Sequence, residues 1–337
     1  MSRTLRRTAL AALLIAWLQR PTAAEPLAPD ANHDPIAAPT PWIDLGQSPI
    51  VDAPTPTVAT DHKLAAALTL GGIYGGFTTW TYFAWYRKHH PLGYFKWGGD
   101  GWFGAKTYAG GADKLGHAWA TMSLARAGTE LLHQWGGFSK LTSTVVSTTL
   151  SELLFLGVEY KDGTFYEFSY GDATFNTLGA LTAVALSLSP RLDEMFDFRV
   201  EYWPSHEYRR QFDGGNVNVA EDYSGETYLL AFHLGSLHTL RDGGWGWTRF
   251  VDLAVGYGTR GYKPDPPSRT LPDYEHKQEL SIGVSLNMQG LCDWLFERRS
   301  RPAYKIGHGL FEVFNVGYLP AKMWRNSPNG QVMMDGA

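Results

Sequence analysis

The stretch LTAVALSLSPRLDEMFDFRVEYW, residues 181–203, changes its hydrophobic period at Pro190. Before the proline, apolar and small residues follow one another without a charge, which favours a helix that Pro190 ends. After it, in the run FRVEYW at 198–203, large apolar residues alternate with charged or aromatic ones, which predicts a β-strand. The chain therefore divides into a helical part and a strand-rich part, and we predict an α+β fold.

About four apolar helices are predicted before this boundary. The first, Leu64 to Tyr86, has 23 residues without a charge and ends in several aromatic residues. That length spans a bilayer, so we interpret it as a membrane helix, with a buried helix of a large soluble core as the alternative. Apolar runs then predict helices over Ala112–Trp135, Leu141–Val158 and 169–190, with a turn at KDGTFYEF, residues 161–168.

Beyond Pro190, period-two runs predict four or five strands of an antiparallel β meander. The clearest lie at Val251–Gly258 and Leu280–Met288, where large apolar residues alternate with small or polar ones. Outer-membrane barrels show this alternation, although a closed single-chain barrel usually needs eight strands. A sheet laid against the helices and a partial barrel completed by oligomerisation both remain open.

The predicted organisation has four parts. Residues 1–24 form a signal peptide, with arginines, a short apolar run and the small residues Thr22, Ala23 and Ala24. Residues 25–60 form a linker with eight prolines. A helical domain covers 61–190, and an antiparallel β-rich region with a helical or irregular tail covers 191–337.

Charge and cysteine content limit the partners. Without the predicted leader the chain has 25 basic and 33 acidic residues, a formal charge of −8, which argues against nucleic acid. The single cysteine, Cys292, excludes an internal disulfide, and we predict it to be a small buried side chain. No cysteine follows the predicted signal, so lipidation by the bacterial lipobox route is not expected.

Polar residues interrupt the apolar helices of the first half. They are Asp113, Lys114, His117, Glu152, Glu159, Asp162, Ser169, Asp172 and Asn176. Ionisable groups in a low dielectric are costly, so they persist when they are paired, line a wet cavity or bind a metal.

Three accounts of these residues stay open. In the first, they form a structural network in which Lys114 neutralises Glu152 or Asp172 and Asn176 completes the hydrogen bonds. In the second, a divalent cation such as zinc or manganese is bound; its candidate ligands are Asp113, His117, Glu152 and Asp172. In the third, His117, Glu152 and Asp172 are candidate catalytic acids and bases for a lipid or cell-wall substrate.

Three segments resemble the YfiM-like family of predicted bacterial periplasmic or outer-membrane proteins. They are DKLGH at 113–117, EYKDG at 159–163 and FSYGDATFNTLG at 168–179. A looser similarity links the same residues to the VanZ-like membrane proteins. The resemblance covers about residues 100–190 and implies a bacterial envelope location and a helical scaffold, without an established reaction.

Two functions follow as hypotheses. The first is a membrane-associated envelope protein of the periplasm or outer membrane with a structural or assembly role, whose partners are membrane lipid, other envelope proteins or a second copy. The alternative is an envelope hydrolase or transferase that acts on a lipid or glycan and uses the polar residues above, with or without a metal.

Overall fold

The computed structural model describes residues 62–86, 94–99, 101–211, 219–263, 274–326 and 333–336. These residues lie in one compact unit. The predicted signal peptide and linker lie outside the described residues. Long helices precede an antiparallel sheet, so the α+β prediction is confirmed. The division into separate domains stays a prediction.

Four long helices form the first half of the described chain. Two of them continue as a π-helical turn, over Tyr82–Tyr86 and Leu131–Trp135. The helices are α1 (Lys63–Thr81), α2 (Ala112–Glu130), α3 (Lys140–Phe165) and α4 (Tyr170–Leu188). Helix α2 packs against both α3 and α4, so polar residues on these three helices can meet in the interior.

The predicted turn at 161–168 is wrong over residues 161–165, because α3 stays helical to Phe165. Gly163, within this segment, allows a close contact, since a Cβ on it would lie 2.4 Å from the ring of Phe95. Gly163 therefore lets the loop that carries Phe95 approach α3. The loop and the end of α3 are joined by a short parallel pair, β1 (Trp97–Gly98) and β2 (Phe168–Ser169).

The switch from helix to strand occurs close to the predicted boundary. Helix α4 ends at Leu188, and Pro190 begins the short helix α5 (Pro190–Met195). The Ser189 hydroxyl accepts a hydrogen bond from the Leu192 amide, which caps α5. Proline is well suited to the first turn of a helix, since its missing N–H has no partner there anyway.

Six strands follow, and each pairs with the next along the chain. They are β3 (Phe196–Tyr202), β4 (Glu226–His233), β5 (Val251–Arg260), β6 (Lys277–Leu286), β7 (Tyr318–Asn326) and β8 (Met333–Gly336). The helices between them are α6 (His206–Gln211), α7 (His238–Asp242), α8 (Met288–Phe296) and α9 (Arg301–Val313). The sheet is a meander, as predicted.

The last two strands lie in the tail that was predicted to be helical or irregular. Strand β7 contains Pro320, which cannot donate to a ladder and weakens a strand signal. The structure accommodates it at an irregularity, where the register with β6 shifts between Ile282 and Gly283. The tail is therefore helical over α8 and α9 and then returns to the sheet.

The sheet is curled, and its edges are not joined by a continuous ladder in the described chain. Phe314, before β7, forms a single parallel bridge with Val200 of β3. Near it, a carboxylate oxygen of Glu201 accepts a hydrogen bond from the Tyr318 amide at 3.0 Å. The sheet therefore bends far enough for β3 to approach the beginning of β7 without closing a barrel.

Among the described helices, α3 is long and apolar enough to cross a membrane, with a third of that stretch buried in the protein. The first helix, which we predicted to span, does not meet the same criteria. Helix α1 contacts the rest of the protein through Ala66, Leu70 and Tyr74.

Candidate functional site

The loop before α2 is fixed by the sheet. Gly110 and Gly111 have φ angles of +64° and +89°, a left-handed conformation that glycine adopts without strain. The Gly110 carbonyl accepts hydrogen bonds from the Tyr257 hydroxyl at 2.5 Å and the Gln278 side-chain amide at 2.8 Å. Strands β5 and β6 thereby position the start of α2, which directs Asp113 and Lys114 into the interior.

Lys114 is the centre of the first group of contacts. Its ammonium is fully buried and lies 3.0 Å from an Asp113 carboxylate oxygen and 3.1 Å from Oδ1 of Asp172. Of the two acidic partners predicted for Lys114, the structure therefore provides Asp172. The ion pair with Asp172 joins α2 to α4.

His117 is the centre of the second group, one turn further along α2. Its Nδ1 lies 3.1 Å from Oδ1 of Asn176 and 3.4 Å from Oε1 of Glu159. The Thr121 hydroxyl also donates to Oδ1 of Asn176, at 3.1 Å. Helices α2, α3 and α4 thus meet at these polar side chains. We call Asp113, Lys114, His117, Glu159, Asp172 and Asn176 the helix cluster.

Glycines allow this close approach. A Cβ on Gly179 of α4 would lie 2.2 Å from the backbone oxygen of Ala118 on α2, so the two helix backbones are in direct contact there. A Cβ on Gly171 would lie 2.6 Å from the Cε atom of Lys114. Gly171 and Gly179, both in the segment 168–179, therefore bring α4 against the lysine side chain and against α2.

We predict that Gly179→Ala destabilises the folded chain by about 1–3 kcal/mol, because the added methyl group forces α2 and α4 apart. Unfolding in detergent, followed by tryptophan fluorescence, measures this change. Gly157→Ala is the matched control, since its Cβ would meet nothing within 4 Å and alanine favours a helix. Equal effects of the two substitutions would contradict the close contact.

The remaining predicted residues lie elsewhere. Glu152, a candidate ligand and catalytic group, accepts a hydrogen bond from the exposed Thr177 hydroxyl at 2.7 Å. Asp162 accepts one from the Tyr86 hydroxyl at 2.8 Å. The Ser169 hydroxyl accepts one from the Asp172 amide at 3.2 Å, which caps α4.

The described chain brings together one set of side chains that could hold a metal ion. One donor atom from each of His117, Glu159 and Asp172 lies within 4.8 Å of the other two. Two of the four predicted ligands belong to this set. Asp113 instead faces Lys114, and Glu159 stands where Glu152 was predicted.

A second buried polar group lies under the sheet, and the sequence analysis did not identify it. Arg199 is almost completely buried and forms ion pairs with Asp197 and, at 2.8 Å, with Asp252. His233 lies 2.8 Å from Asp252 and 3.1 Å from Asp197. We call these four residues the strand cluster. The sequence feature that could have indicated the strand cluster is the presence of charged residues, Arg199 and Asp252, on the strand face that otherwise carries small residues.

Two clefts in the described part of the protein lie away from the helix cluster. The larger, about 420 Å³, lies at the end of the sheet near Glu201 and Arg260, and the smaller, about 260 Å³, lies between α1 and α3. Neither is lined by the helix cluster. Beside the larger cleft, burial raises the pKa of the Asp222 carboxyl, although Ser205 and Tyr202 donate hydrogen bonds to it.

Comparison with known proteins gives a family match in the helical half of the chain. Residues 99–188 match a family described as predicted periplasmic lipoproteins (DUF2279). The chain is an exported protein of the cell envelope. The matched segment contains α2, α3, α4 and the whole helix cluster, and it confirms the predicted periplasmic, membrane-associated location. No curated protein and no solved structure matches the chain.

Proposed function

We propose that this chain is a membrane-embedded component of the bacterial cell envelope with a structural or assembly role. In this proposal, apolar side chains contact lipid, and the helix cluster and strand cluster hold the interior together. The partners would be membrane lipid and either other envelope proteins or a second copy of the chain.

The distribution of side chains on the sheet carries this proposal. One face presents large apolar residues that are close to half exposed: Leu230, Leu253, Val255, Leu280, Ile282, Val284 and Leu286. The opposite face consists mostly of small and polar residues that are buried, such as Ala231, Ala254 and Ser281, with Leu229 as a large apolar exception. A water-facing sheet has the reverse pattern, with apolar residues inside, whereas strands in lipid have apolar residues outside.

The dimensions of the sheet agree with this reading. Strands β5 and β6 have ten residues each, and a tilted membrane strand needs about 9–11. Leu230, Val255 and Ile282 lie opposite one another on β4, β5 and β6, so the apolar face is continuous across its centre. Lys322 shares this face on β7, close to the sheet edge, and lies 5.0 Å from the ring of Trp324.

Exposed aromatic residues lie at both ends of the apolar face. Trp203 directly follows β3, and the exposed residues Trp102, Phe103 and Tyr108 lie in the loop that contacts the same end of the sheet through Gly110. At the other end, Trp245 and Trp247 precede β5. Aromatic belts of this kind occur where membrane proteins meet the headgroup region.

Helices α3 and α4 also expose large aliphatic residues while burying polar ones. Leu141, Leu153 and Leu181 are each 60% exposed, whereas Ser143, Ser147 and Ser151 are fully buried. The Ser151 hydroxyl donates to the Thr121 carbonyl at 2.8 Å, an interhelical hydrogen bond of the type found in membrane bundles. Lipid contact along α3 and α4 accounts for the exposed leucines as well as for the buried serines.

The alternative function, a hydrolase or transferase acting on a lipid or glycan, has less support. It needs a cleft that reaches His117, Glu152 and Asp172 together. Glu152, however, is bonded to Thr177 on the exposed side of α4, whereas His117 lies beside Glu159 and Asn176. We therefore favour the structural role.

Substitution of one exposed residue tests the proposal. Val255→Arg should destabilise the protein in phospholipid vesicles by about 2–4 kcal/mol, because it places a charge against hydrocarbon. If the face contacts water instead, the effect should stay within about 0.5 kcal/mol. The measurement is guanidinium unfolding in vesicles. Leu240→Arg is the control, since Leu240 is similarly exposed but lies on α7, near the aromatic residues at the sheet end.

A further inference from the structure

We infer that the helix cluster binds one divalent transition-metal ion, with His117, Glu159 and Asp172 as ligands and Asn176 as a fourth. This ion would join α2, α3 and α4. The inference concerns the interior of the helices and does not rest on the lipid contacts proposed above.

The surroundings of the imidazole are the first argument. Nδ1 of His117 faces two oxygen atoms, Oε1 of Glu159 at 3.4 Å and Oδ1 of Asn176 at 3.1 Å. Ligand atoms about 2.1 Å from a shared metal ion are about 3.0–3.4 Å apart in octahedral or tetrahedral geometry. The observed separations therefore match neighbouring positions in one coordination shell.

The third ligand comes from α4. Asp172 lies within reach of the other two, since one donor atom from each residue lies within 4.8 Å of the others. Its Oδ1 accepts from Lys114 at 3.1 Å, and a carboxylate has a second oxygen that can bind a cation at the same time. Lys114 would then orient a metal ligand from outside the coordination shell.

Asn176 supplies an independent observation. Its side chain is completely buried, and its Nδ2 atom has no hydrogen-bond partner among the described residues. Buried amide groups normally satisfy both ends. The Asn176 side chain is fixed through its Oδ1 atom, which lies 3.1 Å from Nδ1 of His117 and accepts a hydrogen bond from the Thr121 hydroxyl. The end of the amide that can coordinate a cation is therefore the one directed to the cluster, while the Nδ2 end is left unsatisfied within the described chain.

The ligand types define the class of ion. One imidazole nitrogen with carboxylate and amide oxygens suits zinc or manganese better than calcium, which prefers oxygen alone. Because each of three helices provides a ligand, the ion would stabilise their packing, as structural metal ions do in other folds.

The test uses the full chain, purified in mild detergent without chelator. We expect about one zinc or manganese ion per chain by elemental mass spectrometry. After removal of metal with a chelator, titration with Co²⁺ should give visible absorption bands, and addition of zinc should raise the thermal midpoint. Glu159→Gln, which keeps the side-chain shape, should weaken binding at least about tenfold, and His117→Ala should do the same.

The matched control is Glu152→Gln, on the same helix but bonded to Thr177, and it should bind metal like the unsubstituted chain. Absence of bound metal together with no Co²⁺ spectrum would overturn the inference. Equal binding by Glu159→Gln and the unsubstituted chain would also overturn it. Because every readout is made in detergent, these outcomes are independent of the Val255→Arg result in vesicles.

Discussion

Lys114→Met is expected to destabilise the folded chain by about 3–5 kcal/mol, one of the two largest single effects that we predict. The substitution removes the ammonium that lies between Asp113 and Asp172 and leaves two buried carboxylates without it. Removal of one partner from a buried ion pair is strongly destabilising, because the remaining charge stays desolvated. Denaturant unfolding in detergent, followed by tryptophan fluorescence, measures the change.

Lys140→Met is the control for this prediction. Lys140 also pairs with a carboxylate, that of Glu130, but both side chains are more than one-third exposed. Exposed pairs contribute at most about 1 kcal/mol. If Lys114→Met cost no more than Lys140→Met, Lys114 would not hold α2 and α4 together.

Arg199→Met should have an effect of the same size, about 3–5 kcal/mol. Arg199 contacts both carboxylates of the strand cluster, and its guanidinium also donates to the Gln289 side chain on α8 at 3.0 Å. Loss of the guanidinium therefore leaves the carboxylates of Asp197 and Asp252 buried. Within the strand cluster, only the imidazole of His233 then remains beside them. The same unfolding measurement applies.

The comparison for Arg199 is Arg210→Met, since Arg210 is exposed on the short helix α6. It should change stability by less than about 0.5 kcal/mol. A small effect of Arg199→Met would indicate that water reaches the interior of the sheet, which would contradict the buried network.

Hydrophobic periodicity was sufficient to predict the four long helices and the first four strands of the meander in their order. Helix α2 begins at Ala112 as predicted, and the helix that was predicted to start at Leu141 begins one residue earlier. Strand β5 was predicted from Val251, where it begins. Strand β7 was missed because Pro320 interrupts its pattern, and the ladder tolerates that proline only through an irregular register with β6.

The register between helices could not be predicted. Glu152 and Glu159 are seven residues apart and share one side of α3, and the sequence analysis placed Glu152, not Glu159, among the candidate ligands with His117. They are about 10 Å apart along the helix axis. Only the packing of α3 against α2 and α4 decides that Glu159 lies beside His117 and Glu152 beside Thr177.

The strand cluster could not be predicted for a related reason. Alternation places Arg199 on the face opposite Phe198, and a polar face of an antiparallel sheet ordinarily faces water. Its partner Asp252 lies 53 residues further along the chain. The curl of the sheet encloses this face, and curling depends on long-range pairing that local patterns do not encode.

The most direct test of the central claim, that the apolar face of the sheet contacts lipid, is a spin-label accessibility measurement. The single cysteine, Cys292, is buried, so a Cys292→Ser background allows one label each at Leu253→Cys and at Arg210→Cys. In phospholipid vesicles, a label at 253 should collide with oxygen much more than with a water-soluble nickel complex, and a label at 210 should show the reverse. Equal access of the nickel complex to both positions would contradict the account.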